Sequence, residues 1–156
     1  MKCGCCGKDL GGIAMDKGYQ MPDEIWELSA IEREDRSQID TDLGRLDERY
    51  FIRGVAFIPV SGTEEYFGWG IWVEVPQEKF FNYAKNYQED NSEAPRFQGL
   101  VANQMPSYEN TLGLEVSVQL GSDTERPTFY FKDKGHLLYS EQGNGISIEK
   151  VHGYSK

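Results

Sequence analysis

Between residues 50 and 75 the chain settles into a period of two, and that run organises the rest. Phe51, Arg53, Val55 and Phe57 alternate with Tyr50, Ile52, Gly54, Ala56 and Ile58, which predicts a strand buried on both faces. Ser61-Gly62-Thr63 is turn material. Trp69, Ile71, Val73 and Val75 then alternate with Gly68, Gly70, Trp72 and Glu74, a second strand hairpin-paired with the first. Its two glycines share a face and leave room for a neighbouring ring or for a ligand close to the backbone. Pro76 ends this strand, and Phe80, Phe81, Ala84 and Tyr87 repeat at helical spacing, predicting a helix from Gln77 to about Gln88. Upstream, Pro22-Asp23-Glu24 opens a short helix, with proline in the first turn and acids at the positive end of the helix dipole. Ser29 followed by Glu32 forms a capping box for a second short helix running to about Arg36. Downstream, Leu114, Val116, Val118 and Leu120 alternate with Glu115, Ser117 and Gln119, a half-buried strand. Another strand spans Pro127 to Lys132, and the segment Ile146 to Tyr154 fits helix or strand.

Hairpin-like strand pairs, with helices bunched before and between them, imply an α+β fold. The expected architecture is a mostly antiparallel sheet of about five or six strands with helices on one face. A chain of 156 residues is the size of one domain. No repeat or long linker divides it, so residues 1–156 are read as one unit: an N-terminal cysteine knuckle over 1–12 and an α+β body over 13–156. Three Trp, nine Tyr and eight Phe supply enough bulky apolar area for a packed core despite a modest apolar fraction.

Charge changes the picture of partners. The net charge is −10, and residues 23–49 alone carry ten acids against four arginines. Such a field repels a phosphate backbone, which argues against nucleic acid, and attracts a basic protein. A solvated acidic face is the plainer reading of the same run. No apolar run approaches the length of a membrane span, and Met1-Lys2-Cys3 does not lead into a signal-peptide core, so a cytoplasmic location without membrane contact is expected.

All three cysteines lie in Cys3-Gly4-Cys5-Cys6-Gly7. Cys3 and Cys6 have the spacing of half a zinc site, with Cys5 able to substitute for one of them. A tetrahedral centre needs further ligands, and His136 is the leading candidate, ahead of His152 and the oxygen donors Asp9 and Asp16. The alternative is three reduced thiols near the N-terminus. A redox pair is disfavoured because no thioredoxin-like pattern follows. His136 stands near Glu141 and Gln142, a grouping that suits acid–base or ligand chemistry and, more commonly, the cap of a turn. Arg53 is a charge inside an apolar strand and calls for a carboxylate, with Asp42 and Glu74 as candidates. No nucleophile elbow, phosphate loop, dinucleotide glycine pattern or zinc-protease helix occurs, so the reading leans away from an enzyme.

The order Cys3-Gly4-Cys5-Cys6-Gly7, Tyr50-Phe51-Ile52-Arg53-Gly54-Val55 and Trp69-Gly70-Ile71-Trp72-Val73 resembles a bacterial family, domain of unknown function 2199. Met105-Pro106-Ser107-Tyr108, Thr111-Leu112-Gly113-Leu114, His136-Leu137-Leu138 and Glu141-Gln142 continue the resemblance. It implies one domain from end to end and carries no activity with it. Three expectations follow. The first is a non-enzymatic interaction module for a basic protein or peptide, immunity-like in one version, with Trp69, Trp72, Arg53 and Glu141 as interaction or pocket residues. The second is a small zinc protein using Cys3, Cys6 and His136. The third is a small-molecule binding domain with a pocket near Gly68 and Gly70.

Overall fold

A computed structural model describes residues 16–154 of the chain. Thirteen elements follow one another among them. Strand β1 (Asp16–Gly18) leads to helices α1 (Asp23–Trp26) and α2 (Ala30–Arg36). Strands β2 (Ser37–Ile39), β3 (Leu43–Leu46), β4 (Arg49–Pro59) and β5 (Tyr66–Val75) come next, and then helix α3 (Gln77–Lys85). Strands β6 (Phe97–Val101), β7 (Glu115–Gln119) and β8 (Thr128–Phe131) precede helices α4 (Leu137–Asn144) and α5 (Ile148–Tyr154).

The fold class is α+β, as the sequence implies, but in place of the expected mostly antiparallel sheet of about five or six strands with helices on one face the sheet is larger and partly closed. It has eight strands among the described residues, in the order β1-β5-β6-β7-β8-β4-β3-β2, and β4 also pairs with β5. Strands β4, β5, β6, β7 and β8 therefore close into a five-stranded barrel. Closure depends on strand length. β4 and β5 form one long antiparallel hairpin, and each changes its other neighbour part-way along. β4 pairs antiparallel with β3 over Arg49–Ile52, then meets β8 in parallel at Val55 and Thr128. β5 runs parallel to β1 over Gly68–Gly70, then pairs with β6 at Val73 and Glu74. A ring this small brings backbones close. A Cβ on Gly54 would lie 2.5 Å from the Pro127 carbonyl oxygen and one on Gly99 2.2 Å from Val73 Cγ1, so both inward positions require glycine.

The alternation seen in the sequence sorts residues between two apolar clusters on opposite sides of these strands. Ile52, Ala56, Ile58, Phe67, Trp69, Ile71 and Val73 point into the barrel with Val116, Val118 and Phe129. Phe51 and Trp72 point outward and are covered by Ile25 of α1 and Leu46 of β3. The two short helices form for the reasons their sequence gives. Acids occupy the first turn of α1, and Ser29 Oγ accepts the Glu32 amide 3.2 Å away at the start of α2. The ambiguous final segment is helical, as α5.

The ring is incomplete at one place. Beyond the Val55–Thr128 bridge, β4 and β8 are joined through the side-chain amide of Gln142 on α4. Its Oε1 accepts from the Phe131 amide at 2.8 Å, and its Nε2 donates to the carbonyls of Phe129 at 2.9 Å and Phe57 at 3.4 Å. A helix side chain thus makes backbone hydrogen bonds that a longer strand pairing would have made.

Candidate functional site

The register that fills the barrel also fixes what faces outward. Arg53, Val55 and Phe57 of β4 lie on its outer face, and Val55 and Phe57 sit opposite Gly70 and Gly68 of β5. With no side chains on those glycines, the outer sheet surface is hollow there, and a cleft of about 380 Å³ opens. Gly68 and Gly70 form its floor with Val55, and the rings of Phe57 and Tyr66 meet edge to face at 6.1 Å on one wall. Arg53 and Arg126 both line it, and Arg126 also borders a neighbouring hollow of about 500 Å³ that contains Asp42 and Tyr87.

Electrostatics at this cleft differ from the sequence expectation. The ion pair expected between Arg53 and Asp42 or Glu74 does not form. Asp42 instead accepts from Arg126 Nε at 2.8 Å through Oδ1 and from the Tyr87 hydroxyl through Oδ2. Glu74 takes a two-point contact from Arg49, at 2.6 and 3.2 Å. The Arg53 backbone amide donates to the Asp42 carbonyl at 2.9 Å, but its side-chain Nε is buried with no hydrogen-bond partner. Burial, reinforced by the nearby Arg126 charge, holds the Arg53 guanidinium below the ordinary arginine pKa, and Asp42 offsets part of this. The Tyr87 phenol is pushed up to about 12, first by its hydrogen bond to the Asp42 carboxylate and then by burial.

The other sequence candidates occupy different places. Cys3, Cys5 and Cys6 lie outside the described residues. His136 caps the N-terminus of α4: its Nδ1 accepts the Leu138 amide at 3.0 Å, and its Nε2 lies 2.7 Å from the Glu109 carbonyl. That pair of contacts puts the proton on Nε2 and leaves no free lone pair for a metal. Among the described residues no group of three metal-ligating side chains comes together. Trp69 and Trp72, expected at an interaction surface or pocket, are both core residues. Trp69 lies inside the barrel with its Nε1 donating to the Tyr108 hydroxyl at 3.2 Å, and Trp72 lies under α1 with its Nε1 donating to the Tyr19 carbonyl at 3.0 Å. Their opposite parity along β5 sends them to opposite faces, and both faces are covered.

Glu141 is also interior, only 3% exposed. Oε1 accepts from the Tyr108 hydroxyl at 2.6 Å, and Oε2 from Lys150 Nζ at 3.0 Å and the Tyr154 hydroxyl at 2.9 Å. Burial, followed by the hydrogen bond to Glu141, drives the Tyr108 phenol far above its usual pKa. Every polar group in this cluster has a partner, so it locks α4 and α5 to the end of the barrel rather than presenting a reactive group.

A second surface was missed in the sequence. Trp26 at the end of α1 is 62% exposed and Ile31 on α2 is 82% exposed. Arg33 holds this turn, donating to the carbonyls of Ile25 at 3.2 Å and Trp26 at 2.9 Å with its guanidinium over the Trp26 ring. Several acids of the charged segment are satisfied internally. Glu24 pairs with Arg49, Glu32 and Asp47 with Arg36, and Asp23 accepts from Asn103 and Gln104. Glu27, Glu34, Asp35 and Glu48 remain exposed with no ion pair among the described residues. Ile31, Glu34 and Asp35 share one face of α2 at spacings of three and four.

These features define a small α+β domain with a closed five-stranded barrel, an arginine-lined outer cleft and a bare aromatic–acidic helix surface. The chain belongs to domain of unknown function 2199, a family of uncharacterised proteins conserved in bacteria, whose sequence model matches residues 2–146. No curated protein and no solved structure matches the chain significantly. No helix among the described residues is long and apolar enough to cross a membrane.

Proposed function

We propose that the protein is a non-enzymatic interaction module that docks a basic segment of a partner protein on the α1–α2 surface. The exposure of Trp26 and Ile31 in a segment whose acids are only partly neutralised carries this reading. An indole and a branched aliphatic side chain left in water are costly, and covering them supplies binding energy. The unpaired carboxylates of Glu27, Glu34 and Asp35 would select a cationic partner and speed its approach. This replaces Trp69 and Trp72 with Trp26 and Ile31 as the anchors while keeping the class of partner that the charge distribution favours.

The test compares two full-length baits in a lysate of the native host, wild type and the Trp26→Ser/Ile31→Ser variant. Both substitutions are at exposed positions, so the fold should survive. Wild type should recover one basic protein that the variant does not. The purified pair should then associate more slowly as salt rises. Equal recovery by both baits, or association insensitive to salt, would overturn the proposal.

A further inference from the structure

We propose that the cleft on the outer face of β4 and β5 binds a small organic anion, a carboxylate or phosphate carried on a flat ring. Arg53 anchors the oxyanion and the ring lies against Phe57 and Tyr66. The site is on the barrel wall, neither Trp26 nor Ile31 lines it, and it does not depend on the docking reading.

Three independent observations converge here. The first is an unmet hydrogen-bond donor. Arg53 Nε is buried in the folded chain with nothing to donate to, a condition that native proteins rarely leave standing. A guanidinium presents a planar fork of donors that matches an oxyanion two bonds at a time. The second is why the chain does not meet that need itself. Asp42 is held in place by Arg126 and Tyr87, and Glu74 by Arg49, and neither carboxylate partners the Arg53 Nε. Arg126 is held beside Arg53 in the process, and the two guanidiniums line one cavity in a protein whose net charge is −10. Local positive charge inside a global negative field is a feature that needs a counter-charge.

The third observation is shape. Gly68 and Gly70 alternate on the outer face of a strand whose inner face is Phe67, Trp69 and Ile71. A Cβ on Gly68 would stand 3.1 Å from Val55 Cγ1 and 3.7 Å from Phe57 Cε1, so a side chain there would fill the floor. Over Gly70 the space is taken by Gly18 Cα and Arg53 Nη2, 3.3 and 3.9 Å from where a Cβ would stand, so the open apolar surface of the cleft is its wall, the rings of Phe57 and of Tyr66, which is 55% exposed. Cationic groups beside an aromatic wall fit an anion with a planar body. Asp16 also lines the cleft, exposed and unpaired with either arginine, and Asp123 and Glu125 line the adjoining hollow. These acids disfavour polyphosphates and extended polyanions and restrict the site to small ligands of low charge.

The experiment titrates the full-length protein with sodium benzoate, phenyl phosphate and benzylamine, following the Arg53 Nε–H resonance by nuclear magnetic resonance. Benzoate reports a carboxylate site, phenyl phosphate a phosphate site, and benzylamine carries the ring with the opposite charge. At least one anion should shift the Arg53 Nε–H saturably with a dissociation constant of about 1 mM or tighter. The Arg53→Gln variant should weaken that anion by about tenfold or more, as expected for loss of a charge-assisted contact. Tyr66→Ala, at an exposed rim position, should weaken it by about threefold or more through lost ring contact, and serves if Arg53→Gln does not fold. Three results overturn the proposal: no saturable shift with either anion, benzylamine binding as tightly as the anions, or both variants binding as wild type does.

Discussion

Replacing Arg53 with methionine should leave the protein as stable as wild type or make it more stable, although the substitution removes a charge from the middle of the longest strand. An arginine locked in an ion pair would behave oppositely, since breaking a buried pair costs about 3–5 kcal/mol. Arg53 has no such pair, and its Nε is a buried donor without an acceptor. A donor in that state costs about 1–3 kcal/mol. The outer guanidinium nitrogens border an open cleft and keep some water contact, so the recoverable part lies near the low end, about 1 kcal/mol. Methionine keeps most of the apolar stem that packs on the strand, and the lost packing is worth less than about 1 kcal/mol. The two effects leave a net change between about 0 and +1 kcal/mol in unfolding free energy, read from the midpoint of urea denaturation at unchanged slope. Arg49→Met is the control. Arg49 holds Glu24 and Glu74 at a partly exposed site, so its loss should lower stability by about 1 kcal/mol. Destabilisation of Arg53→Met by more than about 1.5 kcal/mol would refute the reasoning and show that the guanidinium has a structural partner.

Other expectations follow from the same geometry. Glu141→Gln removes the anion shared by Tyr108, Tyr154 and Lys150 and should cost about 2 kcal/mol in thermal or urea unfolding; a neutral result would mean the cluster does not lock α4 and α5. Ser29→Ala deletes the α2 cap and should cost about 1 kcal/mol by the same assay. Gly54→Ala drives a methyl group against the Pro127 carbonyl and the Phe129 ring, and should cost about 3 kcal/mol or prevent folding, visible as loss of near-ultraviolet circular dichroism. The Tyr87 phenol has a folded pKa of about 12, above its unfolded value, so the folded state holds that proton longer. Its contribution is complete below the unfolded tyrosine pKa and is lost as pH rises through about 12. Tyr87→Phe should therefore show a shallower loss of stability above pH of about 10 than wild type.

What the sequence made legible depended on the length of each pattern. β4, β5 and β7 carry a sustained period of two, and α1, α2 and α3 carry start signals at Pro22, Ser29 and Pro76, so all six could be read locally. β1, β2 and β3 are three or four residues long, too short to establish a period. β6 is broken at its centre by Gly99, a residue that sequence rules assign to loops but that the close approach of Val73 requires. Barrel closure was not legible because it rests on one bridge between residues far apart in the chain. At the candidate sites, sequence reasoning identified Arg53 and the Gly68/Gly70 face. It misassigned the partner of Arg53 because Asp42 and Glu74 are claimed by Arg126 and Arg49, a competition only the tertiary structure resolves. It also took buried tryptophans for surface anchors. Period-two alternation says that neighbours along a strand face opposite ways, but not that both faces are covered, and here α1 covers the one holding Trp72.

The Gln142 bridge has a consequence for how the molecule comes apart. The hairpin of β4 and β5 joins sequence neighbours and can assemble early, whereas the seam between β4 and β8 must wait for the C-terminal part of the chain. Because one amide on α4 carries the seam beyond the Val55–Thr128 bridge, undocking that helix leaves the bridge alone to hold the line. Helix α4 thereby acts as a clasp on a wall it does not belong to, with α5 holding it through Glu141, and the interior of the barrel is only as well sealed as these short helices.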